Sequence, residues 1–165
     1  MSAVPFVIVA LVFASYLWRR IRSPRPDYPP LALAADDPLM LQAFASAKAS
    51  LAQFRDLLAK PHSSAAVKFP LVTSSATTEH VWAEVLEVQG NQVKVRLTSP
   101  PVSHEGPLDR LYTKSLDDLE DWQVTLPNGN FAGGFTMRAM FVRGREQWGE
   151  LPAELEALER RYGAA

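Results

Sequence analysis

Residues 80–98 read HVWAEVLEVQGNQVKVRLT, two stretches of largely alternating apolar residues joined by Gln89-Gly90-Asn91-Gln92. A period of two places one face of a strand in a core and the other in water. Gly and Asn between two such runs supply the backbone of a tight turn, so the stretch reads as an antiparallel hairpin. In its second arm, Lys94 and Arg96 point away from Val93, Val95 and Leu97, which gives the sheet one wet face.

Working outward, Val67, Phe69 and Leu71 alternate ahead of the hairpin, and Pro70, unable to donate to a ladder, predicts an edge strand. Further upstream, Asp37 before Pro38 is a helix start signal. Met40, Phe44, Ala47, Leu51, Phe54 and Leu58 then recur at helical spacing, which predicts one long helix ending at Lys60-Pro61. Its apolar stripe reads as a core face, with a partner-binding seam as the alternative. Downstream, the prolines of residues 98–110 predict an exposed loop. Residues 122–126 and 131–142 predict a second hairpin around Pro127-Asn128-Gly129-Asn130, and Leu151, Leu155, Leu158 and Tyr162 predict a short C-terminal helix. The expected fold class is α+β: an antiparallel sheet of about four to five strands, packed by a long N-terminal and a short C-terminal helix.

The first 18 residues, MSAVPFVIVALVFASYLW, carry no charged side chain. As a helix they span about 27 Å, close to the roughly 30 Å of a bilayer core. Arg19, Arg20, Arg22 and Arg25 follow at once. The expectation is one retained transmembrane helix over 1–22 with this basic flank, a proline-rich linker over 23–36, and a soluble domain over 37–165. Basic residues beside a span stay inside, so the domain is expected on the cytoplasmic face of a bacterial inner membrane, with the lipid bilayer as a partner. A signal peptide cut near Ala32-Leu33-Ala34 and a buried core helix are the alternatives.

Beyond Arg25 the chain holds 13 basic against 18 acidic residues, a balance of −5 that lacks the electrostatic footprint of a nucleic-acid binder. Cysteine is absent, which excludes disulfides and thiolate chemistry. No phosphate loop, nucleotide fingerprint, nucleophile elbow or zinc-protease motif occurs. His62, His80 and His104 lie in different elements without metal-ligand spacing, so no metal or cofactor is expected. Asp117, Asp118, Glu120 and Asp121 fit no calcium loop and read as a solvated turn or helix start, with Asp121 placed to cap N–H groups beside Trp122. Gly133-Gly134 within a strand pattern predicts either a bulge or the close approach of a ligand or partner backbone.

Asp37-Pro38, Val67-Lys68-Phe69, Glu79-His80-Val81-Trp82, Asp121-Trp122 and Gly133-Gly134-Phe135-Thr136-Met137-Arg138 occur in that order. In this the chain resembles the YegJ-like bacterial family, domain of unknown function 2314. The resemblance implies no established activity. Members carry a Gly-Asp pair ahead of the Asp-Trp, whereas Gly106-Pro107-Leu108-Asp109-Arg110 stands here. Some related domains look like immunity proteins of toxin systems.

The expected function is a non-enzymatic binding module, with another protein as candidate partner and no inference about oligomeric state. The candidate surface combines His80, Trp82, Asp121, Trp122, Thr136 and Arg138, with Gly133 and Gly134 permitting close approach. Arg138 offers a bidentate donor and the tryptophans flat contact area, although both tryptophans also suit a core. The alternatives are an immunity-type protein neutralising a toxin, and a hydrolase using His80 with an acidic residue.

Overall fold

The computed structural model describes residues 28–31, 33–106 and 108–163. The chain divides into two units, Met1–Pro30 and Leu31–Ala165, and every element below belongs to the second. Two helices, α1 (Pro38–Ala49) and α2 (Leu51–Leu58), lead into strands β1 (Ser64–Val72), β2 (Thr78–Gln89), β3 (Gln92–Leu97) and β4 (Leu111–Ser115). A 3-10 turn (Leu116–Asp118), β5 (Asp121–Thr125), β6 (Phe131–Gly133), α3 (Phe135–Trp148) and α4 (Ala153–Gly163) complete the domain. The sheet is antiparallel throughout, in the order β4-β3-β2-β1-β5-β6.

The hairpin of residues 80–98 forms as read, with a register shift between Val85 and Glu87. One sheet face makes the core: Val67 and Phe69 of β1, Ala83 of β2, Val93 and Val95 of β3, and Trp122 and Val124 of β5 pack beneath Ala47 and Phe54 of the first two helices. Helix α1 starts as predicted, with Asp37 Oδ1 accepting from the Leu39 N–H at 2.9 Å. The same carboxylate receives Arg143 of α3 at 2.7 Å, which joins the two helices.

Several expectations are corrected. The single long helix is two, broken at Ser50. There the Ser50 hydroxyl bonds back to the Ser46 and Ala47 carbonyls, and the Trp122 indole N–H donates to the Ala47 carbonyl and Ser50 Oγ, both at 3.1 Å. Such back-bonding and an inserted donor weaken the ladder that would carry the helix through. Strand β1 is central rather than an edge, but β5 accompanies it only from Ser64 to Lys68, so Pro70 has a strand neighbour on one side alone. The sheet has six strands, because residues 111–115 add β4 beside β3.

The predicted strand over 131–142 is a three-residue strand followed by a helix. Gly133 (φ +77°) and Gly134 (φ +65°) take the left-handed backbone that turns the chain from one into the other. The predicted transmembrane helix is corrected as well. Among the described residues no helix is long and apolar enough to cross a membrane, and residues 1–18 with Arg19, Arg20, Arg22 and Arg25 lie outside the described residues.

Candidate functional site

The motif residues 121–122 and 133–138 meet at one place, and that place is buried. Asp121 is 0 %, Trp122 0 % and Thr136 2 % exposed, and Gly133 and Gly134 are buried with them. Helix α3 begins at a glycine that has no side chain to cap it. Asp121, on β5, supplies the cap instead. Its Oδ1 accepts from Trp122 N–H (2.8 Å) and Phe135 N–H (3.1 Å), and its Oδ2 from Thr136 N–H and Thr136 Oγ1 (2.7 Å each). A carboxylate there satisfies first-turn donors and complements the helix dipole. Burial pushes the Asp121 carboxyl up from its ordinary value, and the four donors pull against that rise.

Each neighbour serves the same junction. Trp122 stacks on Phe54 (5.2 Å between centroids) and meets Phe135 edge-on (5.8 Å). The Arg138 Nε donates to the Gly133 carbonyl at 3.2 Å, and its guanidinium stands 5.8 Å from the Tyr162 ring centre. Tyr162 donates to Gln123 at 2.6 Å, and burial, ahead of the nearby Asp121 charge, pushes its hydroxyl up to about 12. Of the eight residues expected to form a binding surface, the structure therefore joins Asp121, Trp122, Gly133, Gly134, Thr136 and Arg138 in a folding clasp.

His80 and Trp82 lie elsewhere, on the sheet face opposite the core. The register sets Lys68 of β1 directly between Trp82 of β2 and Asp121 of β5, with His80 and Glu84 as the next residues on that face of β2. Among the described residues only the β5–β6 side of the face is packed by a helix, where Tyr162 of α4 reaches Gln123 and Phe131. Trp82 is half-buried between two ion pairs, His80–Glu120 (2.8 Å) and Glu84–Arg96 (2.6 Å). Its indole N–H has no partner among the described residues, and the half-buried Lys68 ammonium makes neither a hydrogen bond nor an ion pair there. Burial pulls the Lys68 ammonium down from its ordinary value, offset in part by Glu120 and Asp121. Sequence reasoning passed over Lys68 and Glu120. For Lys68 the signal was the alternation that puts residues 66, 68 and 70 on one face with 80, 82 and 84.

Glu79 has a different task from its neighbour His80. It accepts from Val102 N–H (2.9 Å), Ser103 N–H (2.5 Å) and Ser103 Oγ (2.5 Å), which ties the 98–110 loop to the start of β2. Ser103 in turn joins Thr73 and Thr77 in a hydroxyl cluster at the β1–β2 turn. The Ser103 hydroxyl, ahead of the two amides, holds the Glu79 carboxyl below its ordinary 4.5. A depressed carboxylate contributes stability above its unfolded pKa and loses it as pH falls through the folded value. We expect the Val102 and Ser103 amide resonances to leave their neutral-pH positions together below pH 4.5. In Glu79→Gln the Ser103 resonance should already be displaced at pH 7. An unmoved Ser103 amide in that variant would remove the latch.

The four clustered acids disperse to separate partners. Asp117 accepts from Asn91 (2.6 Å), Glu120 meets His80, Asp121 caps α3, and Asp118 is exposed. Among the described residues no group of three or more His, Asp or Glu converges on a metal-sized space. A cleft of about 420 Å³ lies between the end of α2 and the β2–β3 hairpin, lined by Arg55, Leu58, His62, Val85, Leu86 and Val88. Arg55 is committed there to the Gly90 carbonyl and Asn91.

The architecture is thus that of an α+β domain whose sheet, on the face opposite the core, carries a capped helix junction at β5 and an area over β1–β3 that no described helix covers. The chain belongs to the family of uncharacterised proteins conserved in bacteria, domain of unknown function 2314, which matches residues 37–147. Neither a curated protein nor a solved structure matches it.

Proposed function

We propose that the domain is a binding module whose contact surface is the open sheet face centred on Trp82, with Lys68, His80 and Glu120 around it. The observation that carries this is the pairing of Trp82 and Lys68 at directly opposed positions, each with hydrogen-bonding capacity unspent among the described residues. A half-buried tryptophan on a sheet face, its N–H without a partner among the described residues and a partly desolvated cation at the opposed position, has the make-up of an interaction hot spot. The partner is another protein, and the flanking ion pairs form the polar rim.

The test uses affinity capture with the intact chain, followed by titration of the recovered partner against variants. Trp82→Ala should weaken binding at least tenfold, and Lys68→Ala several-fold, with little change in unfolding midpoint because neither side chain lies in the core. Equal affinity for both variants and the unmodified chain would remove the open face as the site.

A second reading rests on His80 Nδ1 meeting the Glu120 carboxylate at 2.8 Å. A carboxylate that orients an imidazole leaves the other ring nitrogen able to act as a general base on water. This hydrolase reading requires some turnover that His80→Ala abolishes. The exposed position of His80, with no hydroxyl nucleophile hydrogen-bonded to it among the described residues, favours the binding role.

A further inference from the structure

We infer that the outer edge of β4 is a self-association site, at which a second copy of this chain pairs antiparallel about a two-fold axis through Thr113. The inference stands on main-chain geometry and goes beyond the proposed use of the open face.

Strand β4 pairs with β3 in a register that sets Val95 opposite Tyr112 and Arg96 opposite Leu111. Two flanking bonds fix which residues face inward: Leu97 N–H donates to the Arg110 carbonyl, and Leu116 N–H to the Asn91 carbonyl. Hydrogen-bonded pairs alternate along an antiparallel ladder, so Arg110, Tyr112, Lys114 and Leu116 bond to β3. The N–H and C=O groups of Leu111, Thr113 and Ser115 therefore point outward. Leu111 and Thr113 have no main-chain partner among the described residues, while the Ser115 carbonyl, at the N-cap of the 3-10 turn, accepts that turn's first bond.

Those three residues form a self-complementary set. Pairing about Thr113 places Leu111 opposite Ser115 of the second copy and Thr113 opposite its own equivalent. The Thr113 pair makes two bonds and each Leu111–Ser115 pair one from the Ser115 N–H, four in all. Thr113 beside Thr113 is a favourable cross-strand neighbour on the open face. On the core face Tyr112 meets Lys114 of the other copy, repeating between copies the Lys114–Tyr112 contact of 5.9 Å made within one. Pairing also covers Leu111, a leucine left 56 % exposed.

Two of the usual guards of an edge are missing. Strand β4 contains no proline and its pairing with β3 shows no bulge. Its lysine is drawn over the Phe69 ring, 4.8 Å from the centroid, instead of standing along the edge. The opposite edge differs, since β6 is three residues long and its Phe131 packs under Tyr162. Two features keep the β4 pairing weak. Five residues bury far less than the roughly 1,200 Å² of a stable interface, and Asp109 of one copy approaches Asp117 of the other. Salt should therefore strengthen association by screening that repulsion.

The chain has no cysteine, so introduced thiols report only the new contact. Purified full-length Thr113→Cys, oxidised with copper phenanthroline, should form disulfide-linked dimers, because hydrogen-bonded partners stand about 5.5 Å apart at Cα. Leu111→Cys alone should remain monomeric, its two copies lying about 14 Å apart at 3.4 Å per residue. Leu111→Cys combined with Ser115→Cys should cross-link again, since those positions face each other. Unfolding midpoints near that of the unmodified chain would show that each variant is folded. Thr113→Cys that stays monomeric, or Leu111→Cys that cross-links equally well, would overturn the pairing.

Discussion

Asp121→Ala is expected to lower the free energy of unfolding by about 2–4 kcal/mol. The substitution leaves buried donors at Trp122, Phe135 and Thr136 without their acceptor, and a stranded buried donor costs roughly 1–3 kcal/mol. The loss is smaller than the sum of those costs, because Asp121 itself carries the desolvation that raises its pKa. That shift has a consequence with pH. A carboxyl whose folded pKa is raised contributes most below its unfolded value, and the contribution declines as pH rises through the folded value. Urea titration of Asp121→Ala and the unmodified chain should therefore give a gap that narrows as pH climbs from 3.8. An unchanged urea midpoint at every pH would mean that α3 starts without this carboxylate.

Gly133→Ala is expected to abolish folding, with a loss above roughly 4 kcal/mol, close to the whole stability of a marginal domain. Two penalties combine. The residue holds φ +77°, and its added methyl would lie inside contact distance of the Trp122 carbonyl oxygen and 2.5–2.7 Å from two atoms of the indole ring. Neither the backbone nor a tryptophan 0 % exposed has room to yield. Gly129→Ala provides the contrast. Gly129 holds φ +84°, yet nothing lies within 4 Å of the added methyl, so only the backbone cost of about 1 kcal/mol remains. Soluble yield and urea midpoint should separate the two variants widely. Equal behaviour would show that the close approach at Gly133 is not what the fold requires.

The α+β character was legible because β1 and β3 alternate cleanly and the turn between β2 and β3 carries Gly90 and Asn91. Helix α3 was not, for a physical reason. Phe135, Met137, Ala139 and Phe141 alternate as a strand would, whereas the helix they form is wedged between α1 and α4 and buried on more than one side. Two periods fitted the same residues, and only the glycine turn with its remote cap decides between them. Strand β4 was missed because Leu-Tyr-Thr-Lys-Ser is short and pairs with β3 across a loop. The break at Ser50 depends on an indole from residue 122, a contact no local pattern contains.

The candidate site was legible in part. Glycine pairs, a lone Asp-Trp and an arginine at the start of a helix look the same in sequence whether they receive a ligand or build a junction. Burial distinguishes them, and it assigns Asp121, Trp122, Gly133, Gly134 and Thr136 to the junction. Trp82 and His80 were visible as candidates within the Glu79-His80-Val81-Trp82 motif, while the place of Lys68 beside them became visible only through the β1–β2 register.

A double-mutant cycle joining Asp121→Asn and Thr136→Val tests most directly whether the motif works as a remote helix cap. Urea unfolding of both single variants and the double variant should give a coupling energy above about 1 kcal/mol, as for residues sharing one buried network. Losses that add to within roughly 0.3 kcal/mol would contradict the cap and reopen the motif as a binding site.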